Sequence, residues 1–204
     1  MEKCFISRER TCCFTGHRNR DLPFVGDRAV LGMRVLVSSL ALQIEEAVKD
    51  GYDTFISGMA EGVDLICAEL VYQRIANGEP LRLVCARPYP RQCDHDYKDP
   101  RSKYVCSLIT DACVTVDVSA SYYRGCYAAR NRFMVENSSR LIGVIKRKVG
   151  HSGTSQTVRL AEKCGLDIHL VELDRLMYYY LGSRRFVRRR PSEENPDQRS
   201  KEYG

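Results

Sequence analysis

Short apolar runs rich in β-branched residues recur along the chain at positions 11–14, 54–56, 81–85, 113–116, 141–145 and 168–171. Each has the length of a strand and is bounded by polar or glycine-containing sequence. Between them lie stretches with the helical period. Residues 29–48 set Leu36, Leu40, Ile44 and Val48 four apart; residues 63–75 form a second such stretch, and residues 153–163 a third that ends at the helix stop Gly165. Strands that alternate with helices cannot be closed by tight hairpins, so they lie parallel and their connections cross over right-handed. The pattern predicts an α/β fold, a Rossmann-like parallel sheet flanked by helices on both faces. The unbroken apolar run Leu141-Ile142-Gly143-Val144-Ile145 suits a strand covered on both sides.

In such sheets a ligand lies beyond the carboxyl ends of the strands, where free N–H groups at helix N-termini attract anions. Glycine and hydroxyl residues fall at three of these corners. They are Thr15-Gly16-His17-Arg18, Ser57-Gly58-Met59-Ala60-Glu61-Gly62-Val63-Asp64 and Gly150-His151-Ser152-Gly153-Thr154-Ser155-Gln156-Thr157. A glycine leaves out the Cβ that would hold a phosphate away from the backbone, and a hydroxyl supplies a donor. One such corner is ordinary turn chemistry; three on one edge predict a nucleotide-type pocket.

The composition narrows the class. Apolar residues make up 44% and charged residues 28% of 204 residues, the balance of a globular chain with no internal repeat. No apolar run reaches the length of a membrane span, and the N-terminus has no signal-peptide core, so no membrane partner is expected. Ten cysteines without a Cys-x-x-Cys pair exclude a zinc ribbon and a disulfide scaffold. Most of them read as small buried hydrophobes in a reducing cytoplasm. The net charge is +6, yet residues 184–204 alone hold seven Arg/Lys against four Asp/Glu, half of the excess. The expected organisation is an N-terminal extension over 1–9, one domain over 10–183, and a basic, then disordered tail over 184–204.

The corners, together with Leu22-Pro23-Phe24 and the segment Arg130-Asn131-Arg132-Phe133-Met134-Val135-Glu136-Asn137-Ser138, resemble the YpsA-like branch of the SLOG superfamily across about residues 10–173. That superfamily groups Rossmann-like proteins related to the DNA-processing protein DprA and to LOG phosphoribohydrolases. The resemblance implies binding of a nucleotide or a nucleotide-derived ligand. It also suggests that Arg130 and Asn131 reach the pocket; the alternative is a solvated helix face. Two departures stand out. Lys146-Arg147-Lys148 brings cations to the third corner, and Thr157 stands where LOG-type hydrolases carry a glutamate. A hydroxyl cannot stabilise a cationic sugar or activate water near neutral pH, so the LOG reaction is not supported at this loop.

The candidate ligand-binding residues are therefore Thr15, Gly16, His17, Arg18, Ser57, Gly58, Asp64, Arg130, Asn131, Gly153, Thr154 and Thr157. Asp64 either holds a ribose hydroxyl or serves the helix dipole, and Glu61 is either a general base or an exposed first-turn acid. These two are the only catalytic candidates. His17 and Arg18 read as phosphate or base contacts, or as a packing histidine with a surface arginine. Tyr122, Tyr123 and Tyr127, placed in a loop before the Arg130 helix, could stack on a base or cover the sheet edge. Cys93-Asp94-His95-Asp96 has metal-ligand chemistry but no second cluster to complete a site, so neither a metal nor a resident cofactor is expected. The leading expectation is a soluble binder or sensor of a nucleotide-like small molecule. A phosphoribohydrolase-like enzyme and a DprA-like single-stranded nucleic-acid binder follow, and self-association stays open.

Overall fold

The computed structural model describes residues 6–22, 26–146 and 152–176. Pro23 and Phe24, Arg147 and Lys148, Gly150 and His151, and the whole 184–204 tail lie outside the described residues. The strands are β1 (Thr11–Thr15), β2 (Thr54–Ser57), β3 (Arg82–Arg87), β4 (Val114–Asp117), β5 (Arg140–Ile145) and β6 (Asp167–Glu172). All pair in parallel in the order β4-β3-β2-β1-β5-β6. The helices are α1 (Leu31–Lys49), α2 (Val63–Ala76), α3 (Gln92–Asp96), α4 (Pro100–Ala112), α5 (Cys126–Glu136) and α6 (Gly153–Lys163). This is the expected Rossmann-like α/β arrangement.

Alternation along the central strands builds two cores. Cys12 and Phe14, Phe55, Leu83 and Cys85, and Ile142 and Val144 face one layer, where α1, α2 and α4 cover them. Cys13, Ile56, Val84 and Ala86, and Leu141 face the other, under α5 and α6. Successive residues thus feed opposite cores, which is why these strands read as continuously apolar. Each fully buried aliphatic side chain contributes about 1.5–3 kcal/mol.

Helix α1 buries Met33, Leu36, Leu40, Ile44 and Ala47, with Val48 only partly buried. Steps of four residues overshoot the 3.6-residue turn, so by the third step the inward face has drifted from Val48 to Ala47. Helices α3 and α4 carry no clear apolar period. Helix α4 is set instead by its start: the Asp99 carboxylate caps the Ser102 N–H, and Pro100 takes the first turn. It buries only Cys106 and Ile109. Cys113, expected in a strand, closes α4 by donating its N–H to the Ile109 carbonyl, so β4 begins one residue later. Helix α6 matches its expected bounds and gives way to Gly165, where φ is +70°.

The strand order reverses direction between β1 and β5. From β1 to β4 the chain steps one way across the sheet; α5 carries it back, and β5 and β6 extend the other edge. The crossovers therefore diverge on either side of β1 and β5, and in sheets of this kind the switch point at the carboxyl ends is where a ligand crevice lies. Among the described residues no helix is long and apolar enough to cross a membrane.

Candidate functional site

The three corners meet at this crevice through specific bonds. The Thr154 hydroxyl donates to the Gly16 carbonyl at 2.9 Å, joining the corner after β5 to the corner after β1. The Val63 N–H donates to the His17 carbonyl at 3.1 Å, joining the β2 corner to the same point. Helix α5 spans both sides: Arg130 Nη1 lies 3.1 Å from Asp64 Oδ2, and Asn131 Nδ2 donates to the Thr157 hydroxyl at 2.8 Å. Every residue on the expected ligand list lies within these corners or on α5.

The glycines do different work. A Cβ on Gly58 would coincide with the Arg130 guanidinium, and one on Gly16 would strike the Val63 side chain. Both glycines make room for protein rather than leaving an open hollow, a correction to the reason expected for them. Gly62, with φ +103°, lets the chain press against the backbone of His17 and Arg18, a conformation that side chains avoid. Among the described corner glycines only Gly153 keeps the expected space, with no atom of the described residues within 4 Å of an added Cβ. The Ser152 and Ser155 side chains form a capping box at the start of α6, which satisfies the Ser155 N–H.

The hydroxyls are largely committed. Ser57 donates to the Asp64 carbonyl at 2.8 Å and accepts from the Met59 N–H at 3.1 Å, which pins the turn before α2. Thr157 donates to the Gly153 carbonyl while it accepts from Asn131. Thr15 ends β1, buried beside Gly143.

Charge at the floor of the crevice is unevenly compensated. Asp64 is 7% exposed and Arg130 4% exposed. Burial raises the Asp64 pKa against the pull of Arg130, and burial lowers the Arg130 pKa against the pull of Asp64. Both shifts favour the neutral forms, so desolvation outweighs the attraction within the pair. Arg130 Nε, Gln92 Oε1 and His17 Nε2 are buried without a hydrogen-bond partner among the described residues. Burial, then the Lys146 charge, depresses the His17 pKa, so its imidazole is neutral at pH 7. Arg18 stands at the rim with both terminal nitrogens 3.4 Å from Asp96 Oδ2 and its guanidinium carbon 5.9 Å from the centre of the Tyr127 ring.

Glu61 belongs to different surroundings. It lines a cavity of about 720 Å³ with Arg28, Glu69, Lys98 and Arg101, and none of Gly16, Gly58, Arg130 or Gly153 borders that space. The two carboxylates considered for catalysis are thus separated: one held by an arginine in the floor, one facing another hollow.

The local cluster at 93–96 is spent on structure. Cys93 is joined to Cys106 as a disulfide, Asp94 pairs with Lys103 at 2.8 Å, and Asp96 receives Arg18 and the Tyr127 hydroxyl. Among the described residues no three His, Cys, Asp or Glu side chains are placed to share a metal ion. Cys12, Cys13, Cys67, Cys85 and Cys126 are free and buried, and burial pushes the Cys13 and Cys85 thiols up to about 12.

Apolar periodicity missed Gln92, Tyr89 and Tyr97. Gln92 is fully buried and donates to the Gly58 carbonyl at 3.4 Å, and the Tyr97 hydroxyl donates to the Met59 carbonyl at 3.0 Å. The available signal was position: Pro88-Tyr89-Pro90 and Gln92 follow directly on β3, at the same carboxyl edge as the glycine corners. Tyr127, expected in a loop, occupies the first turn of α5.

The family model described as the YspA SLOG family, YpsA, matches residues 12–176, which takes in the sheet, both helical layers and all three corners. The chain belongs to that family. As a YpsA-family protein it shares its fold with DNA-processing protein A from Streptococcus pneumoniae, at 14% identity and a TM-score of 0.53. The alignment covers 85% of this chain and 56% of that one, so the chain spans little more than half the length of its neighbour. A second likeness, to DNA processing protein A from Helicobacter pylori, has 17% identity, a TM-score of 0.49, and covers 83% of this chain and 72% of the other. That structure's title concerns the single-stranded DNA binding mode of the Helicobacter protein. No curated protein matches the sequence.

Proposed function

We propose that this YpsA-family protein binds a nucleotide-derived anion in the crevice between the carboxyl ends of β1 and β5. The observation that carries the reading is the buried Arg130, which meets one carboxylate, Asp64, and keeps Nε without a partner among the described residues, beneath corners at which an added Cβ on Gly153 meets no described atom. A phosphate lodged against the first amides of α6 sets negative charge above a buried guanidinium whose single carboxylate does not offset its desolvation. His17 Nε2 and Arg130 Nε are the buried polar atoms such a ligand, or a water bound with it, would satisfy. Arg18 lies at the rim, paired with Asp96 and with its side chain 31% exposed, and Lys146 extends the positive field from the end of β5. Thr15, Gly16, Ser57 and Gly58 shape the floor, Asp64 holds Arg130, and Asn131, Thr154 and Thr157 fix the α6 corner.

Binding without turnover fits these residues better than hydrolysis. N-glycosidic cleavage needs a carboxylate beside the sugar. Thr157 stands where LOG-type hydrolases carry that group, Asp64 is committed to Arg130, and Glu61 faces the other cavity.

Native mass spectrometry of the purified chain, followed by calorimetric titration with AMP and ADP-ribose, tests the reading. The expected result is one bound ligand per chain, with affinity at least about tenfold weaker in Gly153→Val and stability changed by less than about 1 kcal/mol. Equal loss of affinity and stability would make Gly153 a structural turn. Release of free base, abolished in Glu61→Gln, would establish the hydrolase instead. Affinity for single-stranded DNA that collapses with salt, with no affinity for mononucleotides, would establish the nucleic-acid binder.

A further inference from the structure

Helix α3, with Tyr97 at its end, is a strut between α4 and the corner that follows β2. Toward that corner, Gln92 Nε2 donates to the Gly58 carbonyl at 3.4 Å, and the Tyr97 hydroxyl donates to the Met59 carbonyl at 3.0 Å. Asp96 takes both terminal nitrogens of Arg18 at 3.4 Å. Toward α4, the described residues supply two side-chain ties. Cys93 is joined to Cys106, 13 residues further on, and Asp94 pairs with Lys103 at 2.8 Å.

The two ties differ in strength. A helix of 5 residues has too few internal bonds to hold its own shape, so α3 stays where its contacts put it. Asp94 and Lys103 are each 48% exposed, and an ion pair so placed contributes little. The covalent link is therefore what fixes α3 to α4, a capped helix of 13 residues. The corner that α3 braces is strained. Met59 has φ +48°, in the left-handed region that side chains avoid. It is held there by Ser57 Oγ, which accepts its N–H, and by the Tyr97 hydroxyl on its carbonyl. Such a conformation lasts only while the surroundings impose it, so loosening α3 lets the turn relax.

We propose that Cys93 and Cys106 are a thiol–disulfide exchange site whose oxidation state sets the order of the β2 corner. Closed, the link holds α3, Met59 and Arg18 in their observed positions; open, it releases them. Cys106 is fully buried and Cys93 only partly, so Cys93 meets the reagent first. Its thiolate attacks a small-molecule disulfide such as glutathione disulfide, which forms a mixed disulfide and expels one thiolate. The Cys106 thiolate then attacks the Cys93 sulfur, closes the link and expels the second. Each cysteine gives its proton to water and each expelled thiolate takes one up, so two electrons and two protons pass to the reagent. A dithiol reverses the exchange. The site acts on the corner itself, so it stands or falls separately from the reading of the crevice as an anion site.

Full-length wild type and Cys93→Ser, equilibrated in glutathione buffers from reduced to oxidised, test it by thiol-alkylation mass spectrometry and amide hydrogen exchange. Oxidation of the wild type should remove the Cys93 and Cys106 thiols, and dithiothreitol should restore both in the folded protein. Exchange over residues 57–64 and 92–97 should be at least about tenfold slower in the oxidised form. Cys93→Ser should exchange like the reduced wild type in every buffer. Absence of a Cys93–Cys106 link at every buffer ratio overturns the site. A link that dithiothreitol opens only after denaturation is a fixed staple, and that result overturns the switch. Equal exchange over 57–64 in the oxidised and reduced wild type overturns it too. Should Cys93→Ser fail to fold, the comparison of the two wild-type states decides alone.

Discussion

Two buried arginines mark the opposite ends of the sheet, and they are treated differently. At the amino edge Arg140 places Nε and Nη2 on Asp167 at 2.8 and 2.7 Å, has Nη1 2.8 Å from Asp50, and lies 4.5 Å over the Tyr52 ring. Burial pulls its pKa down, but two carboxylates outweigh burial and the net shift is upward. At the carboxyl edge Arg130 has one carboxylate, an unpartnered Nε and a net downward shift led by burial. The same side chain faces two carboxylates at one end and one at the other, although each keeps one buried nitrogen, Nη1 of Arg140 and Nε of Arg130, without a hydrogen bond among the described residues. The difference lies in the number of carboxylates each guanidinium meets, and the anion proposed for the crevice is what would offset the burial of Arg130.

The largest test of the contrast is removal of each arginine. Arg130→Met strands Asp64 as a buried, unpaired carboxylate and should cost about 3–5 kcal/mol in chemical denaturation. Arg140→Met strands Asp50 and Asp167, each about half exposed, and water can solvate both, so about 1 kcal/mol is expected. Equal losses would erase the distinction. Next comes Gly58→Ala, whose new methyl must displace the Arg130 guanidinium and should cost about 1–3 kcal/mol.

A smaller effect separates the ends by pH. The folded-state pKa of His17 is depressed below the unfolded value of about 6.5. The unfolded chain therefore binds this proton more readily, and the stability that His17 contributes is complete above that pH and lost as pH falls through the lowered folded value. Melting temperature should fall between pH 7.5 and 5 more steeply in wild type than in His17→Gln; parallel curves would show that His17 is hydrated. The smallest change is Gly153→Ala, expected within about 0.5 kcal/mol of wild type because its Cβ enters open space.

The sequence and the structure agree most closely where the signal is local. The six strands fall within two residues of their expected bounds, and α6 and its stop at Gly165 are as read. Helices α3 and α4 were hidden because they bury little: α4 inserts only Cys106 and Ile109, which leaves no stripe to recognise. The site was legible as a set of corners and not as a set of contacts. Thr157 could be seen to lack a carboxylate; that its hydroxyl joins Asn131 to Gly153 could not.

What the sequence alone determined was the alternation of strands and helices, the edge on which the glycine corners fall, and the family motifs, because periodicity and turn chemistry act over a few neighbouring residues. The tertiary structure decided which charges meet. Asp64 and Arg130 are 66 residues apart, on helices that leave opposite faces of the sheet, and only the reversal of strand order beside β1 brings α5 over Gly58. Whether a carboxylate there faces a sugar or an arginine depends on that crossover and on the missing Cβ of Gly58, a relation between distant segments that no local pattern encodes.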